Sequence, residues 1–244
     1  MKTIIIIPSR MASTRFPGKP MVKIAGIPMV QRVWEQAIAA KIGEVYVACS
    51  ENEVYDLISE RGGKAILTDP KLPSGTDRIF AAFQQIENSS DIKYIINLQG
   101  DMPIIKPNHI KNVIEPLQKD YSIGSLVTTL KEDEINNPNI TKAEIEWVDN
   151  KFGRAKEFFR QKNNISKNVF HHVGIYCYSI NSLSKFVNLP KSKNENSLQL
   201  EQYRALDAGL TIGVTYVPDV APSIDTKEDL INVESIIRAN NEKN

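Results

Sequence analysis

Only two cysteines, Cys49 and Cys177, and three histidines occur among the 244 residues. The thiols lie far apart, each inside a strand-like stretch (VYVACS and GIYCYS), and neither has metal-ligand spacing around it. This excludes a disulfide framework and a cysteine-based zinc cluster, and predicts two buried thiols in a reducing, cytoplasmic setting. Long hydrophobic runs are missing too. No stretch approaches the ~18 apolar residues of a membrane span, so no membrane insertion is expected. The opening MKTIIIIPSR holds too short a run, closed too soon by Arg10, for a signal-peptide core. Charge of one sign is also absent: 30 Lys and Arg against 29 Asp and Glu leave a net charge of +1. No global basic field points to nucleic acid, so a bound anion must be held by local placement of charge. Neither G-x-G-x-x-G nor G-x-x-x-x-G-K-[ST] occurs, which argues against a dinucleotide-dependent oxidoreductase and a Walker-type loop.

What is present is an ordinary globular composition, 41% hydrophobic and 24% charged. The chain is long enough for one large α/β unit, or a domain with a smaller lobe. Short apolar runs at 3–7, 44–49, 64–67, 93–98, 122–129 and 173–178 predict strands. The unbroken, β-branched Ile4-Ile5-Ile6-Ile7 fits a strand buried on both faces of a parallel sheet. Met29, Val30, Val33, Trp34, Ala37 and Ile38 share one helical face. Val54, Leu57 and Ile58 repeat that spacing before the stop Arg61-Gly62-Gly63, as do Ile79, Ala82, Phe83 and Ile86. The alternation predicts an α/β fold with a mostly parallel central sheet and helices on both faces. After about residue 125 the rhythm changes. Stretches 140–149 and 173–179 read as longer strands separated by the polar stretch 160–169, which predicts an inserted β-rich lobe at about 130–195. A helix over 198–206 closed by Gly209, a strand over 211–217 and a last helix over 226–239 complete the expectation.

In open α/β sheets, ligands gather beyond the carboxyl ends of the strands, and four segments fall there. The loop PSRMASTRFPGKP carries Arg10, Arg15 and Lys19 and no acid. Pro8 and Pro17 stiffen it, and Gly18 lets backbone N–H groups approach a ligand, a concave donor surface suited to phosphates. The second segment, Pro73-Ser74-Gly75-Thr76-Asp77-Arg78, opens a helix. Capping alone accounts for one of Ser74, Thr76 and Asp77, whereas hydroxyls, free N–H groups and Arg78 together suit a nucleobase edge or phosphate. The third, Asn97-Leu98-Gln99-Gly100-Asp101-Met102-Pro103, fixes Asp101 at a strand end. A carboxylate there can hold Mg²⁺, with phosphate and water completing its shell; a turn aspartate would look the same. In the fourth, Thr226 with Asp229, or Asp225 itself, can cap the last helix. Asp225 becomes a metal ligand only if the fold brings it beside Asp101. In the later lobe, alternation groups His172, Gly174 and Tyr176, and no third ligand has the spacing for zinc. Glu201 and Gln202 offer polar groups for a sugar, as a plain surface helix also would.

Together these segments resemble the CMP-Kdo synthetases (3-deoxy-manno-octulosonate cytidylyltransferases), members of the nucleotide-sugar transferase fold. The matching pieces run in order along almost the entire chain: IIIPSRMASTRFPGKP, SGTDRI, NLQGDMP, NPNITK, HHVGIYCY, LEQYRAL and IDTKEDL. The loop R-x-x-S-T-R-F-P-G-K-P is specific to this family; the CMP-sialate synthetases carry a glycine-richer loop without S-T-R-F-P. The resemblance implies that the anomeric hydroxyl of an eight-carbon 2-keto sugar acid, Kdo, attacks the α-phosphate of CTP. CMP-Kdo for lipopolysaccharide biosynthesis and pyrophosphate result. It also implies roles: Arg10, Arg15 and Lys19 on the triphosphate, and Ser74, Arg78 and Gln99 on cytosine and ribose. Asp101 and Asp225 fall on Mg²⁺, and Arg160, His172, Tyr176, Glu201 and Gln202 on the sugar. The resemblance further implies that Arg10, Lys19, Asp101 and Asp225 carry catalysis and that a homodimer forms through the β-rich lobe. In-line displacement at phosphorus calls for positioned cations, so no histidine base is needed.

Three departures from the family pattern stand out. Q-G-D-E-P reads Gln99-Gly100-Asp101-Met102-Pro103, which leaves Asp101 and Asp225 as the acids. Y-F-S-R reads Glu157-Phe158-Phe159-Arg160, without the serine. The stretch after Arg160 is shorter and polar where the family has a proline- and aromatic-bearing segment. The reaction type is untouched, but the sugar acid stays open between Kdo and a relative such as its 8-amino analogue. A non-catalytic nucleotide-binding homologue is the reading of another class.

Overall fold

Ile4, Ile5, Ile6 and Ile7 expose no surface to solvent, as a strand covered on both faces requires. They lie in β1 (Lys2–Ser9) of the computed structural model, which describes residues 2–12 and 16–241. A 3-10 turn at Lys19–Met21 and a small hairpin, β2 (Lys23–Ile24) with β3 (Ile27–Pro28), follow. Then come α1 (Met29–Ala39), β4 (Gly43–Cys49), α2 (Asn52–Ser59), β5 (Lys64–Leu67) and α3 (Gly75–Phe83). β1 pairs in parallel with β4, and β4 with β5. Each helix buries the face its spacing marks out: Val30, Val33 and Ala37 in α1, Val54 and Ile58 in α2, Ile79, Ala82 and Phe83 in α3. Both cysteines are buried free thiols.

β6 (Ile92–Asn97) and α4 (Pro107–Asn112) lead into the second half. There β7 (Ile123–Thr128) is buried at every residue, and β8 (Lys142–Trp147), β9 (Phe152–Phe159) and β10 (Val169–Ser179) follow. Helices α5 (Ile180–Val187), α6 (Lys193–Leu198) and α7 (Gln202–Asp207) precede β11 (Ile212–Tyr216), and α8 (Lys227–Asn241) comes last. β11 runs parallel to β7, while β10–β7, β11–β9, β9–β8 and β8–β10 are antiparallel. These five strands therefore form a closed circuit of pairings. The pairing is mixed, with helices packed on it.

The chain divides into two compact units. One contains the segments up to Ile92, Asn97–Ile110 and the chain from Ala221; the other contains Lys93–Ile96 and Lys111–Val220. The stretch 130–195 lies wholly inside the second. Among the described residues, no helix is long and apolar enough to cross a membrane.

One expectation needs correction. The single helix over 198–206 is broken, because Gln199 adopts a left-handed φ of 54°. Hence α6 stops at Leu198 and α7 begins only at Gln202. β10 is irregular between Val173 and Cys177, where it gains two residues on β7. An even insertion keeps the faces in step, and the His172 and Tyr176 rings stay on one side, 5.6 Å apart.

Candidate active site

A cleft of about 240 Å³ in the first unit is lined by Arg10, Lys19, Ser74, Arg78, Gln99, Asp101 and Asp225, with Ser9 at the end of β1. Arg15 lies outside the described residues. Lys19, Asp101 and Asp225 are each placed by a local device that the sequence supplies.

Lys19 is set by Gly18, whose φ of 71° turns the chain into the short 3-10 segment; a side chain there would be strained. Asp101 follows Gly100, where an added Cβ would stand 2.9 Å from the Pro8 carbonyl oxygen. The glycine therefore lets the loop after β6 approach the end of β1. Asp225 is freed from capping duty by its neighbours. Thr226 Oγ1 accepts from the Asp229 N–H at 3.2 Å, while the Asp229 carboxylate accepts from the N–H groups of Asp225 (3.0 Å) and Thr226 (2.8 Å). That reciprocal arrangement closes the first turn of α8. The Ile224 N–H donates to the Asp101 carbonyl at 2.9 Å, and the Ile224 side chain is buried with Phe16, Ile24, Met29, Val233 and Ile237.

The Lys19 ammonium, 13% exposed, donates to Asp101 Oδ2 at 3.0 Å and to Asp225 Oδ1 at 3.1 Å. Two carboxylates distant in sequence thus face one cation. This is the juxtaposition on which a shared metal would depend.

The wall built by α3 is more polar than capping explains. Ser74 is the N-cap: its Oγ accepts from the Asp77 N–H at 3.1 Å and its hydroxyl donates to Asp77 Oδ2 at 2.6 Å. Gln99 Nε2 donates to Asn97 Oδ1 at 2.8 Å, and Asn97 Nδ2 donates to Thr76 Oγ1 at 3.4 Å. Asn97 and Thr76 are buried, so they fix the Gln99 amide. Arg78 is 2% exposed. Its Nη1 donates to Thr68 Oγ1, while its buried Nη2 has no acceptor among the described residues. Burial pushes its pKa below the usual arginine value; Glu51 opposes that shift and the charge of Arg10 adds to it. A buried guanidinium N–H without an acceptor, near a second arginine, suits a ligand oxygen. Ser9 Oγ is likewise buried without a partner among the described residues. Sequence reasoning, which followed the cations, passed over Ser9 and the Asn97–Thr76 support. Their positions beside Arg10 and Gln99 were the available signal.

The second unit holds the other candidates. Gln202 Nε2 donates to the Tyr176 hydroxyl at 2.7 Å, and the Tyr176 and His172 rings lie 5.6 Å apart. His172 is buried, with Nε2 3.0 Å from Ser125 Oγ. Burial pushes its pKa down to about 3, with His171 adding to the shift, so the ring is neutral near neutral pH. Burial also pushes the Tyr176 phenol up, and the charge of Glu201 adds to that. Glu201 lies 3.7 Å from Arg204 Nη2, and Arg204 forms a buried fork with Glu195 at 2.6 and 3.0 Å. Arg160 is engaged elsewhere, with Nη1 donating to the Pro138 and Asn139 carbonyls at 3.1 and 3.3 Å.

A family model described as cytidylyltransferase matches residues 4–212. A 3-deoxy-manno-octulosonate cytidylyltransferase of Paramagnetospirillum magneticum is 39% identical over 97% of this chain and 98% of its own length. Another protein of that name, from Parvibaculum lavamentivorans, is 41% identical over 93% of this chain and 89% of its own. The chain belongs to the 3-deoxy-manno-octulosonate cytidylyltransferase family. A solved structure of CMP:2-keto-3-deoxy-manno-octonic acid synthetase complexed with CTP matches with a TM-score of 0.89 at 31% identity, covering 98% of this chain and all of that one. A UDP-glucose pyrophosphorylase matches with a TM-score of 0.70 over 98% of this chain and all of its own, at 15% identity. That second likeness speaks for the fold alone: this cytidylyltransferase has a nucleotidyltransferase-like α/β architecture.

Proposed function

We propose that this chain joins CTP to the eight-carbon sugar acid Kdo, forming CMP-Kdo for lipopolysaccharide biosynthesis and releasing pyrophosphate. The observation that carries the reading is the convergence of Lys19, Asp101 and Asp225 in a cleft that also holds Arg10 and Arg78. Triphosphate binding needs positive charge aimed at phosphate oxygens. In this reading Arg10, Arg15 and Lys19 provide it, while Ser74, Arg78 and Gln99 hold cytosine and ribose.

Asp101 and Asp225 fit Mg²⁺: they are oxygen donors directed at one cation, and this ion takes one or two carboxylates with phosphate and water beside them. Bound there, it supplies charge to the phosphate oxygens and makes the attacking hydroxyl easier to ionise. The chain's own cations stabilise the charge that spreads onto the departing pyrophosphate. For the sugar we assign Arg160, His172, Tyr176, Glu201 and Gln202. His172, neutral and engaged with Ser125, is suited to holding a hydroxyl and not to taking a proton. A homodimer through the β-rich lobe belongs to the same proposal, and light scattering after gel filtration should give twice the chain mass.

The deciding experiment is pyrophosphate release from each of the four nucleoside triphosphates with Kdo or 8-amino-Kdo, with Mg²⁺ or with EDTA. CTP with Kdo and Mg²⁺ is expected to give the highest kcat/KM. A preference for 8-amino-Kdo would reassign the substrate. CTP binding without turnover on either acid would make the chain a nucleotide-binding homologue.

A further inference from the structure

The motif Asn137-Pro138-Asn139-Ile140-Thr141-Lys142 supplies the two carbonyls that hold the Arg160 guanidinium, and it ends in an unusual residue. Lys142, the first residue of β8, is 1% exposed and among the largest fully buried side chains. Its ammonium donates to the carbonyl oxygens of Asn137 at 2.6 Å and Arg160 at 2.7 Å. Neither partner is a carboxylate. The acid whose charge acts on it, Glu134, is paired with His171 Nδ1 at 3.1 Å.

The Arg160 guanidinium reaches the same turn, with Nη1 donating to the next two carbonyls, those of Pro138 and Asn139. Three successive carbonyl oxygens therefore hold two cations in place. Burial lowers the Lys142 pKa, Glu134 counters the shift, and the nearby charge of Arg160 lowers it further. An ammonium buried among neutral acceptors is costly to keep, and closing a turn does not require one. Its particular effect is to pin the main chain of Arg160, whose Nε and Nη2 donors have no partner among the described residues. Two parallel N–H donors of an arginine match a carboxylate, and the sugar acid carries one.

We propose that Lys142 is a positioning residue for sugar-acid binding: by fixing the Arg160 main chain and the 137–139 turn, it aims the Arg160 guanidinium at the substrate carboxylate. This rests on the assignment of Arg160 to the sugar. Lys142 is too deeply buried to touch the substrate and acts through Arg160.

The test uses the full chain and its Lys142→Met, Lys142→Gln, Arg160→Ala and Lys142→Met/Arg160→Ala variants. Pyrophosphate release is measured over a range of Kdo and of CTP. Lys142→Met is expected to raise the KM for Kdo by about 10-fold, the loss of one charge-assisted contact, with kcat and the KM for CTP changed less than about threefold. Lys142→Gln, which keeps a donor for one carbonyl, should fall between, and it stands in if Lys142→Met does not fold. The double variant should be no worse than Arg160→Ala alone, because both act through one group. A purely structural lysine would lower thermal stability without separating the two KM values. The proposal is overturned by an unchanged KM for Kdo in the folded Lys142 variants, or by independent effects in the double variant. If Arg160→Ala binds Kdo normally, this inference fails while the reaction stands; if the unsubstituted chain releases no pyrophosphate, the reaction itself fails.

Discussion

Asp225 Oδ1 lies 3.1 Å from Lys19 Nζ, although 206 residues separate them along the chain. Neither residue finds the other by local structure. The contact exists because the segment after Ala221 rejoins the first unit and Ile224 bonds the main chain of Asp101.

Removing either carboxylate should therefore stop the reaction and spare the fold. Asp101→Asn and Asp225→Asn are expected to lose at least ~100-fold in kcat, the scale found when a transition-state charge contact is deleted. Pyrophosphate release measures the loss, and circular dichroism melting should show little change. Near-normal rates in both variants would remove the metal assignment.

Lys19→Ala takes away the cation common to both aspartates. We expect the KM for CTP to rise and kcat to fall, together lowering kcat/KM by about 100-fold, or ~2.7 kcal/mol. Steady-state kinetics at varied CTP would show both. An unaltered KM for CTP would mean that this lysine serves only to neutralise the acids.

The cap on α8 can be separated from the chemistry. Thr226→Ala removes the Oγ1 that accepts from Asp229 N–H and should destabilise the protein by ~1 kcal/mol. Activity should fall less than in Asp225→Asn, because the carboxylate stays while its backbone loosens. Denaturant unfolding and turnover, measured on the same variant, give the two effects.

At the start of the parallel strands, Glu44 accepts from Lys64 (2.8 Å), Tyr46 (2.9 Å) and Lys2 (3.2 Å). Lys64, the largest influence, and the other donors hold its carboxyl pKa at about 2. The folded value is depressed, so this stabilisation is complete above the unfolded carboxyl pKa of about 4.3 and disappears as pH falls towards 2. Solvent screening keeps it small, because the group is partly exposed. Melting temperatures of Glu44→Gln and the unsubstituted chain should differ at pH 7 and converge in acid. A constant difference would contradict the ion-pair account.

What the sequence made legible follows from burial. β1 was visible because all four isoleucines are interior, and α3 because Ser74 caps it ahead of an apolar face. β9 escaped notice because its inward positions include Gly153 and Ala155. A Cβ on Gly153 would stand 2.4 Å from Ile145 Cγ2, so close packing erases the apolar period by which a strand is recognised. At the site, Arg10, Lys19 and Asp101 announced themselves by charge beside a strand end. Asp225 was one of three capping candidates, with Thr226 and Asp229, and only the backbone N–H groups that donate to the Asp229 carboxylate decide among them. Lys142 could not be found this way, since a lysine in a strand gives no sign that it faces inward.

The return of the chain after Ala221 also has a consequence for biosynthesis. A nascent polypeptide emerging from the ribosome displays Asp101 long before Asp225 has been translated. The acid pair can assemble only once the segment after Ala221 has been made, so products terminated before it retain the basic loop but lack the second carboxylate.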